Sequence, residues 1–155
     1  MKPPTPIQFA TRELMGRMLV FCRQYPRLNF AQWPPESMAG YLNWLASQDA
    51  LRFTWGAGPS GAEITGLLLG WRTTTAALAQ PEFATASYKY ARPILDGDAF
   101  FVEVLAGYPG TVAMLAADHQ WHFPDWRKMQ YYGVRRGRMV KHGDAERLFA
   151  RLEKL

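Results

Sequence analysis

The run Phe100-Phe101-Val102-Glu103-Val104-Leu105-Ala106 constrains the fold more than any other stretch of the chain. As a strand it is apolar on both faces apart from Glu103, so it leaves neither face for water. A strand of this kind is central in its sheet and covered on both sides. Its expected neighbour is the Leu-rich run from Ile64 to Arg72, paired antiparallel. Leu51, Phe53 and Trp55 alternate with Arg52 and Thr54, which predicts a further strand. Gly56-Ala57-Gly58-Pro59-Ser60-Gly61 reads by composition as the flexible tip of a hairpin joining the two.

Helical spacing surrounds these strands. Thr5-Pro6-Ile7-Gln8 has the residues of a capped helix start, and Ile7, Ala10, Leu14, Met18, Phe21 and Cys22 follow on one face up to Tyr25-Pro26. Trp33-Pro34-Pro35 leads into a second helix with Met38, Tyr41, Leu42 and Leu45 inward, ending near Gln48-Asp49. Residues 73–97 read as a long loop with a helical turn at Ala76–Gln80 and an exposed, extended piece at Tyr88-Lys89-Tyr90. After Phe100–Ala106, the turn Gly107-Tyr108-Pro109-Gly110 opens a helix with Val112, Leu115, Ala116 and His119 inward, closed by Phe123-Pro124. Met129–Arg135 predicts a strand, Arg136-Gly137 a two-residue turn, and Arg138–Lys141 the return. Gly143-Asp144 caps a final amphipathic helix with Leu148, Phe149, Leu152 and Leu155 inward. The expectation is one α/β domain over residues 1–155.

Within 98–135, a strand, a glycine-containing turn, a helix and a second strand form a βαβ crossover. The positive end of such a helix can receive an anion, and Gly107 and Gly110 let the backbone come close to it. Two helices, an antiparallel hairpin and then this unit resemble the GNAT fold of acyl-CoA N-acyltransferases. Phe100 to Thr111 is similar to the family's fourth strand and coenzyme-A turn. Phe123-Pro124-Asp125-Trp126-Arg127 through Arg138 is similar to small divergent members of phage genomes and to toxin-activating acyltransferases. The family's turn carries Arg or Gln, two residues, Gly, one residue, then Gly or Ala. With Gly110 in the last place, Tyr108 replaces the first glycine and Leu105 the Arg or Gln, so the turn is degenerate.

The resemblance implies a GNAT-like, mixed but mostly antiparallel sheet with two N-terminal helices, the βαβ crossover and a C-terminal helix. It implies acetyl-CoA or a longer acyl-CoA as cofactor, an amine acceptor, and a pyrophosphate held by Gly107, Tyr108, Gly110 and Thr111 with Arg135 and Arg136. Family members often use a carboxylate near the central strands as base and a tyrosine as proton donor. Glu103 answers to the first, since burial raises a carboxyl pKa; its alternative role is an edge-facing or salt-bridged strand residue. Tyr131 and Tyr132 answer to the second, with one of them inward and the other outward; either is otherwise a core tyrosine.

Charge leaves other partners open. The formal net charge is +5, which suits a phosphate-bearing ligand. Arg127, Lys128, Arg135, Arg136, Arg138 and Lys141 follow one another without an intervening acid, and Trp126, Tyr131 and Tyr132 are interleaved. This basic 127–142 hairpin fits coenzyme-A phosphates, nucleic acid, an acidic protein surface in an assembly such as a virion, or a solvated sheet edge. Beside an acyltransferase or acyl-CoA binder, a GNAT-shaped structural or interaction module without catalysis and a basic nucleic-acid-binding accessory protein therefore stay open. His119 and His122, flanked by Asp118 and Asp125, lack an evident third metal ligand and also suit a helix C-terminus; no metal is expected. Cys22 is alone, which excludes an internal disulfide, fits a reducing, cytoplasmic compartment and reads as a small buried hydrophobe. No apolar stretch approaches the ~20 residues of a membrane span, and the N-terminus has no signal-peptide pattern.

Overall fold

The computed structural model describes residues 12–24, 30, 32–58 and 61–155. The helix start expected at Thr5–Gln8 and the stop at Tyr25-Pro26 lie outside them. The elements run α1 (Arg12–Arg23), α2 (Pro35–Ser47), β1 (Leu51–Gly58), β2 (Gly61–Thr73), α3 (Thr75–Leu78), β3 (Ala99–Gly107), α4 (Thr111–His122), β4 (Gln130–Arg135), β5 (Arg138–Lys141) and α5 (Ala145–Leu152). Short 3-10 turns at Ser87–Tyr90 and Trp126–Lys128 complete them.

One mixed sheet has the order β1-β2-β3-β4-β5. β3 is its middle strand, as its apolar pattern requires, antiparallel to β2 and parallel to β4 across the α4 crossover. Side-chain alternation sends β3 to both faces. Phe101 joins a core with Met18, Phe21, Met38, Leu42 and Leu45 of α1 and α2. Phe100 points the other way, to Ala116, Trp126, Tyr131 and Phe149 under α4 and α5. Cys22 is fully buried in the first of these cores.

Several expectations need correction. β1 continues through Gly56, Ala57 and Gly58, pairing residue by residue with β2 down to Gly61. Backbone pairing to a committed neighbour outweighs the low strand propensity of glycine. Residues 74–98 are not a plain loop. Thr74 caps α3 through its side chain, and the Asp98 carboxylate accepts from both the backbone N–H and the hydroxyl of Thr75. Phe83 is fully buried against Trp71, Tyr90 and Phe101. Tyr88-Lys89-Tyr90 is a 3-10 turn rather than an extended piece. Leu155 is 58% exposed rather than inward, because α5 ends at Leu152 and its apolar stripe ends with it. The Asp144 cap on α5 is present, accepting from Arg147 N at 3.1 Å.

Candidate functional site

The ladder between β3 and β4 is short. It joins Ala99 to Gln130, Phe100 to Tyr131 and Phe101 to Tyr132, and goes no further. β3 continues for six more residues against β2 alone. From Val102 onward, its side toward β4 has no strand partner among the described residues. A cavity of about 320 Å3 fills the wedge. Val102, Glu103 and Leu105 line it from β3, Leu115, Ala116 and His119 from α4, Tyr131, Gly133 and Val134 from β4, and Leu148, Phe149 and Leu152 from α5.

A β-bulge shapes the wedge. Leu69 pairs with Val104 and Gly70 with Val102, so Glu103 is the extra residue of β3. Such an insertion bends a strand and re-aims its side chains. Here it leaves Glu103 facing the α1/α2 side together with Val104. The Glu103 carboxylate accepts from Tyr41 Oη at 2.6 Å and from Ser87 Oγ at 2.9 Å. Burial raises its pKa to about 7, against the two hydrogen bonds, which favour the charged form. Burial also pushes the Cys22 thiol up to about 12, with the Glu103 charge adding to it, which keeps it a protonated, buried thiol.

On the opposite face, His119 Nε2 and Tyr131 Oη are 2.7 Å apart and buried among Phe100, Phe123 and Phe149. Burial first, then the charges of His122 and Arg52, lowers the His119 pKa to about 3, so its imidazole is neutral. Burial raises the pKa of Tyr131, which keeps its proton. Tyr132, one residue on, faces the α1/α2 core and donates to Gln130 Oε1 at 3.0 Å. The two tyrosines thus lie on opposite faces, and only Tyr131 lines the cavity.

The turn expected to hold a pyrophosphate is built into the fold. Gly110 caps α4 at φ +88°, where a side chain is strained. Its N–H donates to Leu155 O at 3.1 Å. A side chain at Gly107 would run into the Thr111 hydroxyl and the backbone of Gly66. Thr111 Oγ1 lies 2.7 Å from Tyr108 O and 3.2 Å from Thr65 O, and Tyr108 Oη donates to Glu63 at 2.7 Å. Gly107 is thus packed closely where α4 meets β2 and β3, Gly110 is set by its backbone conformation, and Tyr108 and Thr111 are held by hydrogen bonds.

Arg135, Arg136, Gly137 and Arg138 are exposed at the β4–β5 tip, with Arg136 and Gly137 both at positive φ, as a type I′ turn requires. Arg127 is set apart from this tip, paired with Glu146 at 3.2 Å and stacked on Trp126 at 4.3 Å. His119 and His122 do not converge: the first meets Tyr131, the second Asp118.

Sequence reasoning missed several residues here. Tyr41 and Ser87, the partners of Glu103, are separated from it by 62 and 16 residues, and no local pattern links them. His142 lines the cavity; desolvation and then the charges of Arg151 and Arg135 lower its pKa. Arg151 had no sequence signal beyond the polar face of α5. No model of a known protein family matches the chain, and no curated protein is significantly similar to it.

Proposed function

We propose that the wedge between β3 and β4 binds the pantetheine and acyl limb of an acyl-CoA, and that the protein is a GNAT-like acyltransferase acting on an amine. The observation that carries this is the early end of the β3–β4 ladder over a cavity of about 320 Å3. An extended chain bearing amides can add to the unpaired side of β3 as a strand would, while Leu105, Leu115, Leu148 and Leu152 receive an acyl group. The Gly110 N–H is already engaged by Leu155. The pyrophosphate is accordingly met by Arg135 and Arg151 rather than by the turn.

Glu103 borders the cavity at the gap in the sheet with its carboxylate turned to the α1/α2 side, so in this reading the acceptor amine comes from that side to meet the thioester, and a pKa of about 7 suits a base working near neutrality. The acceptor nitrogen attacks the thioester carbonyl. A C–N bond forms and the C–S bond breaks. The proton shed by nitrogen passes to Glu103, and the thiolate leaves and takes a proton from water. Tyr41 and Ser87 hold the carboxylate in place throughout.

Calorimetry with acetyl-CoA and octanoyl-CoA tests the binding step. A dissociation constant in the micromolar range is expected, about −8 kcal/mol. Leu105→Trp, which fills the wedge, should weaken it by at least tenfold. Glu103→Gln should keep the binding and lower the release of free thiol in the presence of amines by roughly 10²–10⁴. No heat and no thermal shift with millimolar acyl-CoA would overturn the proposal.

A further inference from the structure

A second cavity, of about 210 Å3, lies toward the C-terminal end of α4, beyond a wall made by Leu68, Phe100 and His119. Asp118 and His122, one helical turn apart, line it together with Arg52 of β1. Asp118 is only 3% exposed, and neither of its carboxyl oxygens has a hydrogen-bond partner among the described residues. His122 Nε2 stands 3.3 Å from Asp118 Oδ1, yet it too lacks a hydrogen bond there. Arg52 Nε is 3.9 Å from Asp118 Oδ2, beyond hydrogen-bond reach, while its NH2 group is held by Asp49 at 2.9 Å.

This placement is doubly unfavourable for a carboxylate. A buried polar group without hydrogen bonds carries the full cost of its desolvation. Asp118 also stands near the C-terminal end of α4, where the helix dipole repels negative charge. Burial raises its pKa, Arg52 and His122 pull it back, and Asp49 pushes it up again. The other charges at this cavity are already matched: Arg72 grips Asp125 with two hydrogen bonds, and Arg52 grips Asp49. Asp118 has His122 and Arg52 as ion-pair neighbours at 3.3 and 3.9 Å but receives a hydrogen bond from neither.

Besides these charged groups the lining holds Gln48, with Leu68, Trp71, Pro93, Leu95, Phe100 and Phe123 supplying the apolar part. A dry apolar cavity of about 150 Å3 admits benzene, so this one has room for a ring and a short arm. An anion would face Asp118. A metal ion would need further donors, and the described residues hold no group of three or more His, Cys, Asp or Glu suited to one.

We propose that this cavity binds a small amphipathic primary ammonium, its charged nitrogen donating to Asp118 and His122 and its apolar body enclosed by Phe100 and Phe123. The site is separate from the wedge and stands or falls independently of acyl-CoA binding.

Calorimetry on the full chain with benzylammonium as probe tests it. Saturable binding in the millimolar range or tighter is expected, with benzyl alcohol at least tenfold weaker, since it lacks the charge. Asp118→Asn, nearly the same in shape, should lose at least tenfold. If that variant does not fold, the wild-type protein still decides the matter: the His122 ring nitrogens should shift in the NMR spectrum as benzylammonium is added. The proposal is overturned by no saturation up to about 20 mM, by equal affinity for benzyl alcohol, by undiminished binding in a folded Asp118→Asn protein, or by shifts confined to the wedge.

Discussion

The two faces of the sheet each bury a tyrosine hydroxyl against a titratable group, and the outcomes are opposite. Under α1 and α2, Tyr41 donates to Glu103, whose pKa is raised to about 7. Under α4 and α5, Tyr131 meets His119, whose pKa falls to about 3. Burial is the first cause in both, and it always disfavours the charged form. For an acid this moves the titration into the working range; for a base it moves the titration out of it. The first face therefore holds a group able to exchange protons near neutrality. The second holds a neutral hydrogen bond that helps wall a cavity.

Packing gives the largest test of this contrast. Phe101 is enclosed by Trp71 and Phe83 in the larger core. Phe101→Ala should cost about 3–5 kcal/mol in denaturant unfolding. Phe149 already borders the wedge, and α5 can settle into the space left by its ring. Phe149→Ala should fall at or below about 3 kcal/mol. Equal costs would mean that the two faces are packed alike.

Titration gives the next. Glu103 has a folded pKa above its ordinary 4.5, so its contribution is full below that value and is lost as pH rises toward about 7. His119 has a folded pKa below its ordinary 6.5, so its contribution is full above 6.5 and is lost as pH falls toward about 3. Between pH 4.5 and 6.5 the two oppose each other. Relative to wild type, Glu103→Gln should gain stability with rising pH in that window, and His119→Gln should lose it. The slopes should approach about 1.4 kcal/mol per pH unit in opposite senses. Slopes of the same sign in thermal unfolding at several pH values would break the comparison.

The smallest effect belongs to neither face. Arg136 and Arg138 are exposed at the β4–β5 tip, with no ion-pair partner among the described residues. Arg136→Glu with Arg138→Glu should change stability by no more than about 0.5 kcal/mol each. Outright unfolding would make the tip a structural element. A parallel filter-binding titration separates its roles: loss of nucleic-acid affinity, with a smaller salt slope, would mark a phosphate contact.

Sequence periodicity made much of this architecture legible. β3 was marked by its two apolar faces, α4 by Val112, Leu115, Ala116 and His119, and β4 and β5 by Arg136-Gly137. What stayed hidden depended on neighbours remote in the chain. The bulge at Glu103 exists only in the register with Leu69 and Gly70. Segment 74–98 has two four-residue turns, too short to show a period, and takes its place from Phe83 and from the Trp44 side chain donating to Ala91 O. Glu103 stood out as a lone acid in an apolar run. Asp118 did not, because an acid on a helix ordinarily faces water, and its burial follows from how α4 lies across β1.

The strand order in space repeats the strand order along the chain, β1 to β5 without a permutation. Each strand is thus laid against one that already exists. Assembly can begin with the tight β1–β2 hairpin, a microsecond event for an isolated ribbon. The costlier closures come later, across residues 74–98 and then across the α4 crossover. This sets a direction. The parallel β3–β4 contact is held by only three residue pairs across the α4 crossover, so amide hydrogen exchange should find the wedge among the first parts of the sheet to open.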